Sequence, residues 1–200
     1  MIKKQLRWLP SARMALADTA GHTRFVLALT GFLLMHIPVV LTRTNSSRGK
    51  APTLPDGNIS FAFYGAIEDS ADTRTVRAEL RADQNLFVEL LVPKLSPEQD
   101  LPDDDLPVLT IVSPSGEGRV LRPSRRETFD EPYTDTSYLS YLAGRFPGEA
   151  GTYTLSVSGR APCRFVLAVG DDERPGEVLD VPIGSVEDVH RWYGAKPAAR

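Results

Sequence analysis

The chain has 200 residues, 42% of them hydrophobic and 24% charged, which excludes an intrinsically disordered protein and sets one domain plus an appendage as the expectation. The net charge of -3 is unevenly placed: six of the 23 basic groups but one of the 26 acidic groups fall in residues 1–43, so residues 44–200 carry -8. An acidic main body argues against a nucleic-acid role, which needs basic surface to displace counterions from phosphates, and the single cysteine, Cys163, excludes an intrachain disulfide.

Residues 1–24 hold five basic groups and read as a basic cytoplasmic tail. Residues 25–41, FVLALTGFLLMHIPVVL, carry no charge and are bracketed by Arg24 and Arg43. Through Thr42 the stretch would reach roughly 27 Å as a helix at ~1.5 Å per residue, close to the ~30 Å of a hydrocarbon core. The expectation is a transmembrane signal anchor over 25–42, with a cleaved signal peptide and a buried core helix as the alternatives. A cleaved signal calls for an Ala-x-Ala-like site, and Thr42-Arg43-Thr44-Asn45-Ser46-Ser47 follows instead. The more basic flank stays inside, which sets the N-terminus in the cytoplasm and the remainder outside the cell membrane. His36 falls within this segment. An ionisable group at membrane depth can mark a proton path, although a lone neutral histidine near the outer end can also simply be tolerated.

Residues 43–58 are polar, contain Gly and Pro, show no periodicity, and read as a flexible stalk. Period-two alternation then takes over. Ile59, Phe61 and Phe63 form one set; Val76, Ala78 and Leu80 another; Leu86, Val88, Leu90 and Val92 a third. Residues 107–112 are a short apolar run ended by the turn Ser113-Pro114-Ser115-Gly116, with Val120 and Leu121 as a hairpin partner. Tyr153, Leu155 and Val157, then Cys163, Phe165, Leu167 and Val169, complete the pattern. Each set lies on one face of a strand. At least six strands without intervening helices cannot build parallel βαβ units, so the expected fold is all-β: an antiparallel β-sandwich over 59–172, preceded by one N-terminal transmembrane helix and followed by a C-terminal extension, 173–200. In Gly151-Thr152-Tyr153 the glycine allows a tight strand entry, and the tyrosine can pack inward while its hydroxyl finds a backbone partner, as in tyrosine corners.

Several stretches carry a resemblance: Leu86-Phe87-Val88-Glu89-Leu90, Leu109-Thr110-Ile111-Val112-Ser113-Pro114-Ser115-Gly116, Ala150-Gly151-Thr152-Tyr153-Thr154-Leu155-Ser156-Val157 and Arg164-Phe165-Val166-Leu167-Ala168-Val169-Gly170. Over roughly residues 60–170 the chain resembles the bacterial pre-peptidase C-terminal type of β-sandwich. It is also similar to an uncharacterised set of exported, membrane-anchored prokaryotic proteins in which a stretch like Phe129-Asp130-Glu131-Pro132-Tyr133 precedes the Gly-x-Tyr strand. The resemblance implies an exported, jelly-roll-like module that faces a ligand or partner. It carries over no catalytic residue, and the insertion at 93–106 departs from the pattern as local decoration.

No constellation amounts to a catalytic centre. His190 is the one histidine beyond the anchor and lies outside the sandwich pattern, and one Cys with one His cannot supply a zinc site. Cys163 shares a strand face with Phe165 and reads as a small buried hydrophobe. Asp100, Asp103, Asp104 and Asp105 are candidate oxygen ligands for calcium, against the plain reading of a solvated acidic loop. Arg119, Arg122, Arg125 and Arg126 could bind an anionic envelope polymer or a protein partner, with Phe129 and Tyr133 beside them as recognition aromatics. The plain reading pairs these arginines with Glu127, Asp130 and Glu131. The function expected is a membrane-tethered, extracytoplasmic binding or interaction module that is not an enzyme and takes no cofactor. An accessory subunit of an envelope complex and a hydrolase-associated domain are the alternatives.

Overall fold

A computed structural model describes residues 36–195; the basic tail, the apolar residues 25–35 and residues 196–200 lie outside that range. The strands follow in chain order as β1 (Ile37–Val40), β2 (Thr53–Leu54), β3 (Phe61–Ile67), β4 (Thr73–Leu80), β5 (Asn85–Pro93), β6 (Val108–Val112), β7 (Gly118–Leu121), β8 (Glu127–Glu131), β9 (Thr136–Pro147), β10 (Gly151–Ser158) and β11 (Cys163–Val169), and helix α1 (Val186–Gly194) closes the series. They form a six-stranded sheet in the order β1-β3-β11-β5-β9-β8 and a five-stranded sheet in the order β2-β4-β10-β6-β7. The chain is an all-β sandwich. Its main core is the set the alternation picks out: Phe61, Phe63, Val76, Ala78, Leu86, Val88, Leu90, Leu155, Val157, Phe165 and Leu167 are all buried in one cluster between the sheets. Cys163 belongs to it and is fully buried, and burial pushes its thiol well above the usual range.

Two local features explain how that core closes. In the β5–β9 ladder the register shifts between Leu90 and Leu91, so that Leu90 faces Leu142 while Leu91 faces Ser140. The extra residue, Tyr141, turns inward beside Leu142, as a β-bulge allows, and its buried hydroxyl donates to the Pro107 carbonyl at 3.0 Å. At Gly65 a Cβ would come within 2.5 Å of the Phe165 ring, so the missing side chain lets that ring lie across β3. The Tyr153 corner also forms. Gly151 has φ +129, and the Glu149 N–H donates to the Tyr153 hydroxyl oxygen at 2.8 Å.

Three boundaries differ from the sequence reading. The last third of the segment expected to span a membrane is strand: β1 pairs in parallel with β3, from Ile37 opposite Phe61 to Val40 opposite Tyr64. Val39 and Leu41 are buried in the core, because a β-branched apolar run beside an open sheet edge buries as much surface as it would in lipid and also satisfies its backbone groups. The segment expected to be a stalk is bound as well. The Asn45 carbonyl accepts from the Thr75 N–H at 2.7 Å, the Pro52 carbonyl accepts from the Arg77 N–H at 2.8 Å, and β2 adds a second parallel edge strand against β4. Residues 127–147, to which the alternation assigned no strand, are the β8–β9 hairpin, with Tyr138 and Tyr141 buried. Among the described residues no helix is long and apolar enough to cross a membrane.

The six-stranded sheet is also apolar on its outer face. Ala62, Tyr64, Leu91, Tyr138 and Val166 form a second buried cluster with Val189 and Trp192 of α1. The helix starts at a capping box, in which the Ser185 hydroxyl accepts from the Asp188 N–H and the Asp188 carboxylate accepts from the Ser185 N–H. Trp192 packs edge-on to Tyr64 at 5.0 Å and donates its indole N–H to the Gly65 carbonyl at 3.1 Å. Tyr193 packs edge-on to Tyr138 at 5.5 Å. Each such aromatic pair adds ~0.5–1.5 kcal/mol beyond area burial.

Beside this cluster lies a buried ion pair. Glu98, in a 3₁₀ turn of the 93–106 insertion, is 0% exposed and accepts from Arg164 Nε at 2.6 Å, from Nη2 at 2.9 Å and from the Arg164 backbone N–H at 3.2 Å. Arg164 Nη1 also donates to the Tyr193 carbonyl at the end of α1. The insertion is therefore a structural clamp rather than decoration. Removing one partner strands a buried charge, so Glu98→Ala should lower the unfolding free energy of the full chain by ~3–5 kcal/mol in a guanidinium titration. The double variant Glu98→Leu/Arg164→Met should recover all but ~1 kcal/mol, the cost of the Arg164 N–H left without its acceptor. Tyr153→Phe should cost ~1 kcal/mol in the same assay, for the hydroxyl that the Glu149 N–H loses.

Candidate functional site

The outer face of the six-stranded sheet is only partly covered by α1, and the rest of it forms a cavity of about 290 Å³. Strand register explains its shape. Two rows of outward-facing side chains cross the sheet here: Pro38, Ala62, Ala168 and Glu89 in one, and Val40, Tyr64, Val166 and Leu91 in the other. The adjacent alanines make the first row low, and the floor dips between their larger neighbours. Val186 and Val189 of α1, Phe129, Pro132 and Thr134 of the β8–β9 hairpin, and His36 and Pro38 at the start of the sandwich complete the lining. His190 ties two of these walls together, its Nε2 lying 2.6 Å from the Thr134 carbonyl.

Polar groups gather at the rim. Glu89, Glu131 and Glu173 line the cavity, and among the described residues no lysine or arginine does. Glu89 Oε1 accepts from the Ser140 hydroxyl and from Arg125 Nη2, the latter at 2.7 Å. Glu131 accepts from the backbone N–H groups of Tyr133 at 3.1 Å and Thr134 at 2.7 Å, and from the Thr134 hydroxyl. Glu173 makes no ion pair among the described residues. The Tyr138 hydroxyl accepts from Thr136 at 2.9 Å; burial pushes its pKa up to about 12, and it raises that of Tyr64 further still. Both phenols are neutral at physiological pH.

His36 stands in the sandwich wall rather than in a lipid span. Its Nδ1 hydrogen-bonds the Ser60 hydroxyl, and Ser60 is buried and absent from the lining. The pair therefore orients the imidazole and presents no accessible nucleophile. Burial lowers the His36 pKa, against the opposing pull of Glu89, Glu173, Glu131 and Asp171.

The arginines singled out in the sequence diverge. The Arg119 guanidinium lies over the Phe146 ring at 4.9 Å. Arg122 is exposed. Arg125 pairs with Glu89 at 2.7 Å and with Glu127 at 3.4 Å. Arg126 pairs with Asp103 at 2.7 Å and donates to the Leu101 and Gln99 carbonyls. Of the acidic loop, Asp103 is thus used by Arg126, and Asp100 accepts from the Ser96 hydroxyl. Among the described residues no three His, Cys, Asp or Glu side chains are grouped to hold a metal ion. Phe129 and Tyr133 remain substantially exposed, at 42% and 47%, and Phe129 lines the cavity.

The cavity floor had a sequence signal of another kind. In FAFYGAI (61–67) and CRFVLAV (163–169) both parities are largely apolar, which marks a strand covered on both faces. Ser185-x-x-Asp188 ahead of Val189 and Trp192 is a helix-start pattern. Compared with known proteins, the chain matches no family model and no curated protein.

The lowered His36 pKa has a stability consequence. The unfolded chain takes up the proton first, near the ordinary value of 6.5, so the stabilisation is complete above that pH and is lost as pH falls toward the folded-state pKa. The melting temperature of the full chain should begin to fall below about pH 6.5. His36→Asn should remove that part of the profile and leave only the carboxylate-driven loss at lower pH.

Proposed function

We propose that this chain is an exported, non-catalytic binding module that takes its ligand in the cavity on the outer face of the six-stranded sheet. The observation that carries this reading is the cavity itself: an apolar floor between three walls from distant parts of the chain, with a few polar groups at its rim. Ligand sites have this composition, and the volume is near the lower end of their ~300–1,000 Å³ range. A sandwich built only for stability would cover this face or make it polar. The surface around 119–141 stays in the reading through Phe129, Glu131, Pro132 and Thr134, while the arginine run contributes through Arg125 behind Glu89.

Location outside the cell membrane rests on the tail and the apolar run. With the sandwich beginning at His36, eleven uncharged residues, 25–35, precede it. That length falls within the ~7–15 apolar residues of an export signal and short of the ~20 of a helical span. Export with the N-terminus inside remains the proposal, and the tether to the membrane is drawn within residues 1–35 instead of at 25–42. We also propose a likeness to pre-peptidase C-terminal domains, with a jelly-roll-like connectivity, supported by the Gly151-Thr152-Tyr153 corner.

A fragment library screened by saturation-transfer NMR against the full chain tests the site. Fragments should bind the natural protein and lose binding in Ala168→Leu, whose side chain fills the low row of the floor. Binding that survives Ala168→Leu, or no binding at all, rejects the cavity as the ligand site.

A further inference from the structure

We infer that the cavity selects a small organic cation, a protonated or quaternary amine carried on an apolar body. This rests on the cavity being the ligand site. Three carboxylates line it together with His36, and among the described residues no lysine or arginine does. One of them, Glu89, is offset from behind by Arg125. The donors to Glu131 are neutral backbone and hydroxyl groups, which orient the carboxylate without cancelling its charge. Glu173 has no ion-pair partner among the described residues, so two negative charges remain in excess around the opening. An anionic ligand would be repelled by both.

The floor decides against a metal ion. Ala62, Leu91, Val166 and Ala168 offer no ligand atoms, and among the described residues no three ligating side chains converge. They do offer an apolar surface to the body of an organic ligand. Tyr64, Phe129 and Tyr138 line the same space, Phe129 as the exposed one of the three, and aromatic rings attract cations, including quaternary ones that cannot donate hydrogen bonds. The lowered pKa of His36 is consistent with this, since a neutral imidazole adds no opposing charge at neutral pH.

The test compares three probes of like size on the full chain: benzyltrimethylammonium, benzyl alcohol and phenylacetate. Titrations followed by saturation-transfer NMR should show the ammonium binding about tenfold more tightly than either of the others, with the preference shrinking as salt is raised. Glu173→Gln changes an exposed residue and leaves the fold intact. It should weaken the ammonium about threefold to tenfold and leave the alcohol unchanged. Ala168→Leu should abolish binding of all three. If alcohol and ammonium bind equally and both are lost in Ala168→Leu, the cavity stands as the site and the cation preference is overturned. Tighter binding of phenylacetate overturns it too, as does failure of the ammonium to bind when fragments from the library do.

Discussion

A sheet whose two faces both avoid water needs two partners, and the rest of this structure is arranged around supplying them. The inner face of the six-stranded sheet meets the five-stranded sheet and makes an ordinary sandwich core. Among the described residues the outer face has no second sheet. It is met instead by α1, drawn from beyond the last strand, which lays Val189 and Trp192 on Tyr64, Val166 and Leu91. One short helix cannot cover six strands. What it leaves open, beside the paired alanines 62 and 168, is the cavity.

The helix and the loop that flank this face are held by a charge that water cannot reach. Arg164 points outward from β11, where its neighbours in the alternation are apolar, and Glu98 comes from the 93–106 insertion to meet it with both carboxylate oxygens. The same guanidinium reaches the carbonyl of Tyr193, so one side chain joins a strand, an insertion and the end of a helix. Such pairs contribute little net stability compared with an apolar replacement, because desolvation offsets their attraction. Their geometry is nevertheless demanding, and here it sets where α1 lies and so how much of the outer face stays uncovered.

The beginning of the sandwich follows the same logic of open edges. Each sheet would end in an exposed strand, β3 in one and β4 in the other. Residues 36–54 supply a parallel strand to both, β1 and then β2, with Asn45 and Pro52 satisfying backbone groups of β4 on the way. Unpaired edges invite association with other chains, and this segment covers two long ones with the short strands β1 and β2. It also brings His36 and Pro38 to the cavity, so the residues that cap the sheet edge are the ones that form a wall of the site.

Inward-facing sets such as Leu86, Val88, Leu90 and Val92, or Tyr153, Leu155 and Val157, were legible in the sequence because a strand's side chains alternate by geometry alone, whatever lies opposite. The sandwich class, the Gly151–Tyr153 corner and the burial of Cys163 followed from that local rule. Hydropathy is blind to the phase it will be buried in: Ile37–Val40 is apolar enough for lipid or for a sheet edge, and only the vacant side of β3 decided between them. Long-range pairing was equally out of reach. Nothing near Glu98 announces Arg164, and nothing in the arginine run says that Arg126 will close on Asp103 while Arg125 stands behind Glu89. The cavity belongs to this second kind of information, since its floor comes from residues 62, 91, 166 and 168 and becomes one surface only when β3, β5 and β11 lie in register.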